Sequence, residues 1–171
     1  GLTVRSSEYM KQVVAELTHL ARLAPEISQR SGVSVRVSIC NYENLLSNAL
    51  KRAIRLREEF AAPRVSDLGA LVASTTGKIE LEAVGDTSEE KVLAKLVQRA
   101  VLNVFNRSFS AAELEGVVGA FQGGFTIQVG DGMPSKEYVR QVGQAPALRA
   151  AAAKLGAADP ASIAAAVEFV L

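Results

Sequence analysis

An all-α fold with at most short strand pieces is predicted for this chain of 171 residues, on three observations. Apolar residues recur at three- and four-residue spacing through most of the length. Capping residues and prolines stand where those runs start and stop. Extended character is confined to two brief stretches, Lys78 to Glu82 and Phe125 to Val129, too little for a central sheet. With 49% hydrophobic residues, there is enough apolar side chain for a real core.

Ser6 or Ser7 can cap a first helix, in which Met10, Val13, Val14, Leu17, Leu20 and Ala21 recur at helical spacing until Pro25 follows. A second, long helix is expected from about Val35 to Ala61. Ile39, Tyr42, Leu46, Ala49, Leu50, Ala53 and Phe60 mark its apolar face, and Asn41, Asn44, Asn48, Lys51, Arg52 and Arg55 its polar face. Pro63 bars continuation. Ser66 and Asp67 open a shorter helix through Leu68, Leu71 and Val72, and "TTGKIELEAVGDT" reads as a turn with at most one short strand. Thr87 with Glu90 makes a capping box for a helix to about Phe105, buried along Leu93, Leu96, Val97, Ala100 and Val104.

The texture changes after residue 109. Ser110 caps a helix holding Leu114, Val117, Val118 and Phe121, and "QGGFTIQVGDGMP" follows as glycine-punctuated extended chain. Ser135, Pro146 and the pair Asp159-Pro160 each sit where a helix should start, so three short alanine-rich helices close the sequence. Two units are therefore expected, a helical bundle over 1–109 and a helical C-terminal region over 110–171. The final "PASIAAAVEFVL" stops in mid-pattern with no C-cap glycine, and its helix is expected to run past Leu171.

Charge and chemistry exclude several functions. Lys and Arg total 19 against 18 for Asp and Glu, a net charge of +1, so no whole-molecule field draws in nucleic acid or an anionic membrane. Cys40 alone cannot form an internal disulfide, and with His19 as the one histidine there is no zinc set; a cytoplasmic setting is the expectation. No apolar run approaches the ~20 residues of a membrane span. Gly77-Lys78 precedes Ile79 rather than Ser or Thr, which is no phosphate loop. Cys40 and His19 have no activating neighbours in sequence, Glu58-Glu59 and Glu89-Glu90 read as solvated surface, and Gly130-Asp131-Gly132 reads as a turn. No catalytic residue and no metal ligand set is expected.

What remains is "SQRSGVSVRVSICNYENLLSNALKRA", Ser28 to Ala53, with Arg30 and Arg36 on either side of a helix start. An arginine in the first helical turn meets the positive end of the dipole. Its placement there points to an anion held jointly by helix and guanidinium. A surface salt bridge is the competing reading.

"GVSVR", Gly32 to Arg36, opens that helix, and "APRVSDLGAL" opens the next beyond a proline-containing turn. Together they resemble the helical lid of AAA+ ATPases of the MoxR and magnesium-chelatase type. In that family a Gly-x-Ser-x-Arg pattern introduces the lid helix carrying the second-sensor arginine, which the resemblance places at Arg36, with Arg30 as a second candidate for nucleotide phosphate. The likeness covers about Ser7 to Phe109 and, more loosely, the remainder. It implies a larger ATPase that uses ATP and Mg2+, assembles as a hexameric ring, and has its own upstream core, neighbouring subunits and a von Willebrand or integrin-like protein as partners. No Walker A or Walker B segment is present in these residues, so this part is expected neither to hydrolyse ATP nor to bind it tightly.

Two other classes stay open. Arg22, Arg30, Arg36, Lys51, Arg52, Arg55 and Arg57 concentrate positive charge in the first third, as a helical nucleic-acid-binding module would. Against it, aromatic residues are 5% and tryptophan is absent, which leaves little for base stacking. The third reading is a helical adaptor that docks other proteins.

Overall fold

Several helix starts in this molecule are set by side-chain caps, and the end of the longest helix by a backbone closure. The computed structural model describes residues 1–30, 32–82 and 88–171, and among them are eight α-helices. Helix α1 (Glu8–Leu23) follows Ser7 and buries Tyr9, Met10, Val13, Val14, Leu17 and Leu20 before Pro25. Helix α2 (Val35–Arg55) starts at Ser34, whose hydroxyl accepts from the Arg36 amide at 3.2 Å.

Helix α2 ends well short of the expected Ala61. Arg57 takes a left-handed φ of 57°, and the Glu58 amide donates back to the Ala53 carbonyl at 2.9 Å, a closure that caps the last turn. The chain then forms β2 (Phe60–Ala61), which pairs in parallel with β1 (Thr3–Val4). Neither strand piece expected from sequence is a strand. In the first, Leu81 makes a single antiparallel bridge to Ile27. In the second, Gln128 exchanges hydrogen bonds with the Gln141 side chain, at 2.7 and 3.1 Å, so a glutamine amide does the work of a partner strand.

A short 3₁₀ turn, Val65–Asp67, leads into α3 (Gly69–Thr75). Helix α4 (Glu89–Ser108) is capped by Ser88, and Thr87 of the expected capping box lies outside the described residues. Helix α5 (Ala111–Gln122) has its Ser110–Glu113 capping box. Then come α6 (Ser135–Val142), α7 (Pro146–Lys154) and α8 (Pro160–Val170). Asp159 caps α8, accepting from the amides of Ala161 and Ser162 at 3.0 and 3.1 Å.

Helices α1 to α4 pack as a bundle, α1 against α4 and α2, and α3 against α2 and α4; α6 and α7 pack on α8. One apolar cluster spans residue 109, joining Tyr9, Val13, Leu45, Leu71 and Val104 to Tyr138, Leu148 and Phe169. The Phe169 ring lies 4.6 Å from that of Tyr9 and 5.9 Å from that of Phe105. The chain from 110 onward thus shares a core with the bundle before it. Among the described residues no helix is long and apolar enough to cross a membrane.

The face of α2 differs from expectation. Leu45, Ala49 and Ala53 are fully buried, but so are Asn41 and Arg52, while Ile39 is 55% exposed. Asn41 is accommodated because its carbonyl oxygen accepts from Ser74 and Thr75 of α3, at 2.5 and 3.0 Å.

Candidate functional site

The two arginines singled out by sequence sit apart from the buried charges. Arg30 and Arg36 are both exposed, Arg36 in the first turn of α2. Gly32 just before it has a φ of 65°, a left-handed angle that glycine adopts without strain. The Ser34 cap then fixes the backbone under Arg36. Among the described residues, neither arginine's side chain makes an ion pair or hydrogen bond. Both are left to meet solvent or a ligand.

Charge is instead concentrated in the interior, where four segments converge. Asp67 is fully buried and accepts from Asn48 at 3.0 Å, from Arg52 Nε and Nη2 at 3.2 and 2.8 Å, and from the Arg64 amide at 2.8 Å. Arg52 also donates to the Ala62 carbonyl at 2.6 Å, and its Nη1 lies 3.7 Å from Glu58 Oε2. Arg64, fully buried, donates to the Met133 carbonyl at 2.6 Å and to Ser135 Oγ at 2.8 Å, and lies over the Tyr138 ring. Glu58 accepts from the Ser135 amide at 2.5 Å. Glu168 of α8 accepts from the Ser66 amide at 2.8 Å and from the Tyr138 hydroxyl.

Burial lowers the pKa of the Arg64 guanidinium, with Arg52 close by adding to the effect; an arginine nevertheless stays charged at any physiological pH. Burial also raises the Tyr138 hydroxyl, which its bond to Glu168 reinforces. Two arginines, three carboxylates and a neutral phenol therefore form a fixed group that binds the end of α2 and the 3₁₀ turn to α6 and α8. Most of its hydrogen-bonding atoms are spent within the protein, while Arg52 Nη1, Glu58 Oε2 and Arg64 Nε are buried without a hydrogen-bond partner among the described residues, and the group ties these elements together.

This group corrects two sequence readings. Arg52 is not on a solvated face, and the Glu58 side chain, only 10% exposed, is not solvated surface. The signal was in the spacing: Asn41, Leu45, Ala49 and Arg52 lie on one stripe at i, i+4, i+8 and i+11, so a polar residue at either end of that stripe faces inward.

The remaining candidates lie at or near the surface. His19 is exposed. Cys40 is half-buried, with Lys78 Nζ at 3.1 Å and Asn44 Nδ2 at 3.4 Å from its sulfur. Asp131 in the glycine turn pairs with Arg55 at 3.0 Å, which holds its carboxyl below the usual range. Among the described residues no cluster of His, Cys, Asp and Glu could hold a metal ion. Comparison of the chain with protein-family models, with curated proteins and with solved structures finds no match.

Proposed function

We propose that this chain is the lid and C-terminal helical region of a magnesium-chelatase-like AAA+ ATPase, and that Arg36 reads the terminal phosphate of the nucleotide. The observation that carries the reading is the contrast along α2. Arg52 is buried and donates to Asp67 and the Ala62 carbonyl, whereas Arg36 is exposed, unpaired among the described residues, and seated on a capped first turn. A guanidinium in that position gains charge-assisted hydrogen bonds when a phosphate is present and loses them when it leaves. The bundle of α1 to α4 is then the body that moves with it. ATP and Mg2+ belong to the upstream core, and neighbouring subunits of a hexameric ring and an integrin-like protein are the proposed partners. Arg30 is the candidate second contact.

A nucleic-acid-binding module draws less support. Of the nine lysines and arginines in the first third, Arg5 pairs with Asp159, Lys11 with Glu8 and Arg55 with Asp131, Arg22 donates to the Val33 carbonyl, and Arg52 is buried. What is left is too sparse for a phosphate-tracking surface.

The test is ATP turnover and thermal unfolding of the full-length ATPase carrying Arg36→Ala, Arg36→Lys or Lys51→Ala. Arg36→Ala should lose turnover on the order of a hundredfold with an unchanged melting temperature, as for other charge-stabilising groups at a reacting centre. Arg36→Lys should also be impaired, because an ammonium lacks the two-pronged contact. Lys51, exposed on the same helix, controls for loss of charge alone. Turnover by Arg36→Ala equal to that of the parent would end the sensor reading.

A further inference from the structure

Where the end of α1 lies against α4, the bundle leaves a groove of about 520 Å³ with an apolar floor of Leu20, Leu23, Ala24, Pro25, Val92 and Leu96. Leu23 is 66% exposed there, and Leu102, further along α4, is 55% exposed. Lys91, Lys95, Arg99 and Leu102 are all exposed and fall at i, i+4, i+8 and i+11 on α4, which places them on one stripe of the helix beside that floor. Among the described residues none of the three cations has an ion pair. Among the described residues Glu26 is the one carboxylate lining the groove. Lys95 and Arg99 line the groove and Lys91 stands one turn before them on the same stripe, so among the described residues cations outnumber carboxylates at the rim of a chain whose total charge is only +1.

We propose that this groove docks an acidic amphipathic helix of a partner protein. Its floor takes apolar anchors spaced at i, i+3, i+4 and i+7 from a helix laid along it, and carboxylates on the flank of that helix reach Lys91, Lys95 and Arg99. The floor distinguishes this partner from nucleic acid: phosphates would use the cations and leave the leucines wet, and among the described residues no aromatic side chain lines the groove for base stacking. The rim charges set orientation and encounter rate, and the burial of Leu23 supplies affinity. Arg36 has no part in it.

Fluorescence anisotropy at low salt tests the docking with the whole chain and three labelled probes: a helical peptide of Leu, Ala and Glu with leucines at those spacings, its twin with every Glu replaced by Lys, and a short DNA duplex. The Glu peptide should bind at least about tenfold more tightly than its Lys twin. The order should reverse in the Lys95→Glu/Arg99→Glu double variant. Leu23→Ser should weaken the Glu peptide about tenfold, the cost of leaving one apolar anchor in water, whereas Ile54→Ser, at an equally exposed site outside the groove, should change nothing. All these side chains are exposed, and unfolding curves confirm that the variants fold. Equal binding of the two peptides overturns the proposal, as does absence of binding by both. So does Glu-peptide binding that Leu23→Ser leaves unchanged, or duplex binding tighter than that of the Glu peptide.

Discussion

Asp67 has no contact with water and accepts four hydrogen bonds, three of them from Asn48 and Arg52 side chains and one from the Arg64 backbone. A buried carboxylate so held gains little over a well-packed apolar replacement of the whole group, but losing one partner strands the others in low dielectric. Arg52→Ala should therefore cost about 3–5 kcal/mol in chemical denaturation, the range for breaking a buried pair. Lys51→Ala, one residue away and exposed, should stay within about 0.5 kcal/mol. The two substitutions remove the same charge from the same helix. If they prove equally mild, the buried group is not what ties α2 to α6 and α8.

Between elements, Glu16 joins α1 to α4 by accepting from Asn103 at 2.8 Å and from Arg107 at 3.0 Å. The Asn103 bond, with Arg107 assisting against the cost of burial, holds its carboxyl below the usual range. A carboxyl lowered by folding contributes stability that is fully present above its unfolded value and disappears as pH falls through the folded one. Glu16→Gln should thus be less stable than the parent at neutral pH, and the gap should close in acid. A gap that persists unchanged at low pH would mean that the carboxylate's charge has no part in it. At this scale the sequence is most readable at helix starts, because Ser34, Ser110 and Asp159 act on backbone amides two or three residues away. The ends and strands were less so. The stop of α2 depends on Glu58 being drawn to Arg52, Arg64 and Ser135, and the pairing of Thr3–Val4 with Phe60–Ala61 joins segments far apart in the chain. Arg36 was legible as an exposed first-turn cation for the same local reason. Arg52 and Arg64 were not, since their partners come from other elements and a charged residue on a helix is by default counted as solvated.

For the whole molecule, the question is whether 1–109 and 110–171, which differ so plainly in composition, fold independently. Their shared surfaces argue against it. Phe169 stacks on Tyr9 and Phe105, Leu148 and Val167 are fully buried in the cluster that holds Met10, Val13 and Leu17, and α8 touches both α4 and the 3₁₀ turn. Polar contacts cross the same seam: Arg64 to Met133 and Ser135, Glu168 to Ser66, Lys154 to the Ser108 carbonyl at 2.8 Å. Cutting after Phe109 would leave Tyr9 and Phe105 facing water and the Arg64 guanidinium without its Met133 and Ser135 acceptors. Each exposed core side chain forfeits about 1.5–3 kcal/mol, against a typical domain stability of about 5–15 kcal/mol. The 1–109 piece should therefore unfold at a much lower temperature than the whole chain, or remain loosely packed, and adding 110–171 in trans should restore cooperative melting. Calorimetry on the piece, the whole chain and the mixture decides it. A piece that melts sharply at the temperature of the whole chain would make the C-terminal helices a separate unit resting on a finished bundle, with α8 no longer part of its core.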